Sequence, residues 1–100
     1  MKMLMIVYNI SLSNEVISLL DSLKVTCFTQ WPRVIGRGQS TGPKYDNDVW
    51  PGANAAIMVV ADEAKTDELF KAIAHLRDEI GTHEGVKAFQ LAVERMTGDI

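Results

Sequence analysis

The sequence predicts an α+β fold in which four strands form an antiparallel sheet and two helices cover one of its faces, in the order β-α-β-β-α-β. Three observations point there. Two stretches place apolar residues at three- and four-residue steps, the spacing of one face of a helix. Four stretches of strand length, apolar and rich in β-branched residues, surround them. The chain has 100 residues, 47% hydrophobic and 23% charged, which fits one small globular domain over residues 1–100 and argues against disorder.

The elements follow in chain order. Met3 to Tyr8 is a continuous apolar run containing Ile6 and Val7, as in a central strand buried on both faces. Ser11 or Ser13 can cap the first helix, with Glu15 near its positive end. Val16, Ile17, Leu19, Leu20 and Leu23 form its apolar stripe. Val25 to Trp31 reads as the second strand, and Pro32, which cannot donate to a ladder, implies an edge or a bulge there. Cys27 then falls mid-strand, an inert buried thiol. From Gly36 to Asn54 glycines and prolines punctuate a polar stretch with no helix or strand period, and loops of that length are usually functional. Ala55 to Ala61 is the third strand. Asp62 or Thr66 can cap the second helix, whose inner face is Leu69, Phe70, Ile73, Leu76 and Ile80, and Gly81 ends it. Val86 to Val93 is the fourth strand, with Phe89, Leu91 and Val93 on one face.

This order is the split β-α-β, ferredoxin-like sandwich. Helices on one side leave the other sheet face bare. The apolar character of the first and third strands implies that this face is covered too, most simply by another subunit.

Charge narrows the function. The net charge of −3 argues against nucleic-acid binding, which needs cations to neutralise phosphates. Residues 33–44 nonetheless carry Arg33, Arg37 and Lys44 without an acid. No apolar run reaches the roughly 18–20 residues of a membrane span, so direct membrane insertion is not expected. The single cysteine forms no internal disulfide, which suits a cytoplasmic protein.

Three clusters could carry chemistry. Val34-Ile35-Gly36-Arg37-Gly38-Gln39 opens the long loop with glycines that admit a phosphate to backbone N–H groups and an arginine that matches its oxygens. The spacing alone equally fits a hairpin tip. Gly85 and Lys87 lie in a polar turn entering the last strand, where the lysine could equally be solvated. His75, Glu79 and His83, at four-residue spacing, form an imidazole–carboxylate–imidazole set suited to a transition metal if the helix continued past Gly81, with Asp46, Asp48 and Glu84 as possible supplements. Trp31 and Trp50 stand beside prolines at the two ends of the loop, where they pack in a core or interface or staple the loop base. No nucleophile–base pair or carboxylate pair emerges, so no enzymatic activity is expected.

Taken together, the element order, the Gly36-Arg37-Gly38-Gln39 entry to the loop and the Gly85-Val86-Lys87-Ala88-Phe89 entry to the last strand resemble the PII signal-transduction superfamily. The likeness spans nearly the whole chain. It implies a homotrimer with its sheets facing the centre, adenine nucleotides in the clefts between subunits, and a flexible T-loop that regulates a membrane transporter or metabolic enzyme. By that resemblance Gly36, Arg37, Gly38, Gln39, Gly85 and Lys87 surround the phosphates, and Thr29 stands near the adenine or ribose. The partner-binding loop would use Lys44, Tyr45, Asp46, Asp48 and Trp50.

The pattern also departs from the family's. A valine, Val86, stands where members have the second glycine of a Gly-x-Gly-Lys turn, and Arg95 is the one basic residue near the end of the sequence. Fewer positive charges favour ADP or AMP over ATP as the small-molecule effector, and the expected class is a PII-like offshoot rather than a standard nitrogen regulator. The alternative is a metal-responsive trimer related to heavy-metal tolerance or efflux, using His75, Glu79 and His83. A small ferredoxin-like enzyme such as an acylphosphatase is a third class, for which no phosphate-cradling arginine–asparagine pair is evident.

Overall fold

The computed structural model describes residues 1–39, 42–48, 51–81 and 85–98. The main sheet contains β1 (Lys2–Asn9), β2 (Thr29–Val34), β5 (Asn54–Ala61) and β6 (Val86–Ala92), in the spatial order β2-β5-β1-β6 with every pairing antiparallel. A small hairpin of β3 (Gly36–Gly38) and β4 (Gly42–Lys44) stands apart from it. Helices α1 (Ser13–Ser22) and α2 (Glu63–Ile80) pack on one face of the main sheet.

Side chains alternate across the sheet, and the alternation separates two surfaces. Leu4, Ile6 and Tyr8 of β1, Ile57 and Val59 of β5, and Val86 of β6 are buried against Val16 and Leu20 of α1 and Leu69 and Ile73 of α2. The one polar side chain buried on α2, Thr66, donates its hydroxyl back to the Asp62 and Glu63 carbonyls. The other face carries Met3, Met5 and Val7, only half-buried, so β1 is central but not covered on both sides by its own chain. Antiparallel register sets Met5 between Met58 and Phe89, and Met3 between Val60 and Leu91. Phe89 is 48% exposed and Leu91 50%, so this apolar row stays largely open among the described residues.

Local chemistry explains where the elements start and stop. The expected serine caps of α1 are not used. Asn9 instead caps a 3₁₀ turn at Ile10–Leu12 by accepting from the Ser11 N–H at 3.0 Å, and Ser13 Oγ donates to the Ile10 carbonyl at 2.7 Å. Asp62 caps α2, accepting from the Lys65 N–H at 2.8 Å, and Gly81 ends it with φ 81°.

The second strand begins at Thr29, four residues later than expected. Lys24 adopts φ 60°, the Val25 N–H bonds the Leu20 carbonyl at 2.9 Å, and the Lys24 N–H bonds the Asp21 carbonyl at 3.0 Å. Those two bonds are a Schellman stop, so Val25 is buried in service of the end of α1 and not of a strand. Cys27 consequently lies outside the sheet and is exposed, which corrects its expected burial. Phe70, assigned to the inner face of α2, is also 38% exposed. Pro32 behaves as its chemistry requires: β2 is an edge strand, and its register shifts between Trp31 and Val34. The loop expected to lack strands contains the β3–β4 hairpin, whose Gly-Arg-Gly and Gly-Pro-Lys segments carry no β-propensity to announce it.

Candidate functional site

One end of the sheet collects the last residue of β2, the first residues of β5 and β6 and the last residues of β1. Here a cleft of about 500 Å³ opens between the loop hairpin and the entry to β6. Gly36, Arg37, Gly38 and Gln39 line it from the hairpin side, Gly85 and Lys87 from the strand side. Thus six of the seven residues expected around a nucleotide meet in one place, although the two groups are nearly fifty residues apart in sequence. The seventh, Thr29, does not line the cleft. It lies at the far end of β2, exposed, opposite Met58.

Backbone geometry shapes both walls. Gly85 adopts φ 74°, a conformation that L side chains rarely take, and its carbonyl accepts from the Asn9 N–H at 2.8 Å. That bond ties the turn before β6 to the end of β1. On the opposite wall, Arg37 pairs with Pro43 and Gly36 with Lys44 in the hairpin register. The returning limb is held by Asp46, which accepts from Arg33 at 3.1 Å and whose N–H bonds the Gly52 carbonyl at 2.9 Å.

The electrostatic character is one-sided. Arg37, Lys44, Arg77 and Lys87 line the cleft, and its lining contains no carboxylate among the described residues. Four cations around a concave volume of this size concentrate positive potential and favour an anionic ligand. Lys44, expected on the partner-facing loop, is half-buried in the cleft wall, with Nζ 3.5 Å from Asn54 Oδ1. Tyr45 is half-buried beside it, Asp46 and Asp48 are exposed, and Trp50 lies outside the described residues.

Two polar lining residues, Asn54 and Arg77, escaped the sequence reading. Asn54 offered no motif. Arg77 did leave a signal, since it continues the Leu69–Ile73 spacing by one further turn and so belongs to the sheet-facing stripe of α2. A charged residue on an otherwise apolar stripe marks a place where packing meets an opening.

Of the three residues of the metal-binding alternative, His75 and Glu79 are described. His75 Nε2 and Glu79 Oε1 are 3.2 Å apart, but both side chains are mostly exposed. Helix α2 ends at Ile80, while His83 and Glu84 lie outside the described residues. Among the described residues no three His, Cys, Asp or Glu side chains cluster as a metal site. Nor is any helix among them long and apolar enough to cross a membrane.

The family model of the nitrogen regulatory protein P-II matches residues 1–97, and the chain belongs to that family. A comparison with curated protein sequences found no significant match. Among solved structures, the chain resembles a putative PII-like signalling protein from Thermus thermophilus, with TM-score 0.62 and 19% identity over 90% of this chain and 83% of that one. It also resembles CPII, a nitrogen regulatory PII-like protein from Thiomonas intermedia, solved bound to ADP, AMP and bicarbonate. There the TM-score is 0.67 at 20% identity, over 94% of this chain and 88% of that one. A second CPII structure, bound to ADP and bicarbonate, gives the same TM-score at 19% identity. At such identities the likeness is one of fold.

Proposed function

We propose that the chain is a non-enzymatic, ligand-sensing regulator that binds an adenine nucleotide, ADP or AMP in preference to ATP, with its phosphates in the cleft between the loop hairpin and the β6 entry. The observation that carries this reading is the gathering of four cations and no described carboxylate around one cleft of nucleotide-compatible size. The ADP and AMP bound by CPII, which shares the fold, add support. Gly36 and Gly38 keep side chains away from the phosphates, while Arg37 and Lys87 supply charge from the two walls.

The regulator works as a homotrimer in the cytoplasm, with residues 1–100 as one domain. Val7, Lys87 and Phe89 belong both to the open sheet face and to the cleft lining, so copies that cover the face also border the ligand. Thr29, on that same face, would reach a nucleotide only across such an interface. Arg37 sits at the loop base, so a bound phosphate can favour one loop conformation by its differential affinity. The loop then engages a transporter or metabolic enzyme through exposed groups such as Asp46 and Asp48.

Titration calorimetry with ATP, ADP and AMP, on wild type and Arg37→Ala, tests the reading. Saturable binding of ADP or AMP is expected, weakened about tenfold or more by the substitution, as loss of a charge-assisted hydrogen bond implies. No heat with any of the three nucleotides would overturn it.

A further inference from the structure

Among the four cations of the cleft, Arg77 is delivered by a helix and not by the loop or a strand entry. It follows the fully packed Ile73 by one turn of α2, which half-buries its side chain against the sheet. Nη1 donates to the Val86 carbonyl at 2.8 Å, one residue before Lys87. Arg77, Val86 and Lys87 border both the cleft and a smaller hollow of about 220 Å³ lined by Phe70, Ile73, Ala74 and Ala88. The methylenes of Arg77 can lie along that apolar wall while its head faces the polar side.

Among the described residues the charge of this group has no carboxylate partner. A guanidinium carries five N–H donors and stays protonated in proteins. One donor is used on Val86, and no carboxylate among the described residues pairs with it. The other ionic groups of the cleft lining among the described residues are also cations. A partly buried cation that shares a cleft lining with other cations is less favourable until an anion joins it.

We propose that Arg77 is a phosphate-contacting residue of the cleft. Held by Val86, it offers its remaining N–H donors as a fixed fork to a phosphate group, in every conformation of the loop that carries Arg37. This rests on the anion-binding reading of the cleft, not on the recognition of the nucleoside.

The test titrates inorganic pyrophosphate and ADP into wild type, Arg77→Gln and Arg77→Lys, with the melting temperature of each ligand-free protein measured alongside. The guanidinium Nε–H signal of Arg77 in isotope-labelled wild type is followed by NMR during the same titrations, a readout that needs no variant to fold. Arg77→Gln is expected to weaken both ligands about tenfold or more, with Arg77→Lys restoring only part because an ammonium lacks the fork. The Arg77 signal should shift with saturation.

A merely structural Arg77 would lower the melting temperature of Arg77→Gln yet leave pyrophosphate affinity and the NMR signal unchanged, and that result overturns the proposal. Pyrophosphate binding that needs Arg77, without binding of any nucleotide, would sustain this inference while overturning the nucleotide reading. Wild type that binds neither ligand overturns both.

Discussion

On one face of the sheet Leu4, Ile6, Tyr8, Ile57 and Val59 are sealed beneath α1 and α2; on the other Met3, Met5, Met58, Phe89 and Leu91 are left wholly or partly bare by their own chain. Both surfaces are apolar and come from the same three strands, alternating residue by residue. The first explains why the chain folds. The second is costly to leave in water, since fully burying one side chain such as Leu or Phe contributes about 1.5–3 kcal/mol. In the proposed homotrimer the difference separates the work of folding from the work of assembly, and the cleft borders the open face at Val7, Lys87 and Phe89.

Substitutions on the two faces should consequently behave differently. The largest effect belongs to Leu69→Ala, which empties a fully buried position between α2 and the sheet. A loss of about 2–5 kcal/mol is expected, seen as a melting temperature lower by roughly 4–8 °C for each kcal/mol. A value unaffected by the substitution would mean that the helix-covered face is not the core.

Met58→Asp, in the middle of the open face, should leave the secondary structure intact by circular dichroism but dissociate the proposed homotrimer. Burying an unpaired carboxylate at a subunit contact costs about several kcal/mol, whereas in a lone chain it stays near water. If the oligomeric mass were unchanged, the open face would not be the contact surface.

The smallest effect is expected at Arg33→Ala. Its ion pair with Asp46 is largely exposed, with side-chain exposures of 59% and 40%, so the loss in stability should stay below about 1 kcal/mol. The sharper readout is proteolysis of the loop between residues 39 and 53, which should accelerate when Asp46 loses its partner. Unchanged cleavage would show that the Asp46 N–H bond to Gly52 is enough to hold the returning limb.

What could be read from the sequence depended on whether the determining physics was local. The stripes of α1 and α2, the stop at Gly81 and the edge position forced by Pro32 are short-range consequences of residue type. The start of β2 was not readable because Val25 and Thr26 look like strand residues, while the Schellman stop that claims Val25 is set by a lysine at φ 60°, not by the expected glycine. The same reversal moved Cys27 from an expected core into solvent.

In the candidate site, the Gly36–Gln39 and Gly85–Lys87 segments announced themselves by composition and by family likeness. Their meeting around one cleft depends on β5 and β1 lying side by side, which topology supplied. Lys44, expected on the partner-binding loop, also lines the cleft because the β3–β4 hairpin, invisible to propensity, folds it back. Arg77 required knowing which face of α2 meets the sheet, and Thr29 falls at the end of β2 away from the cleft, a separation that the local sequence does not state.

The most direct measurement is the mass of the purified wild-type protein in solution by light scattering, over a range of micromolar concentrations, with and without ADP. A mass of three chains is expected throughout if the proposed homotrimer is right, since that assembly covers the apolar open face the ligand cleft borders. A mass of one chain at every concentration, unchanged by ADP, would contradict the division of the sheet into a folding face and an assembly face, and with it the placement of the ligand between subunits.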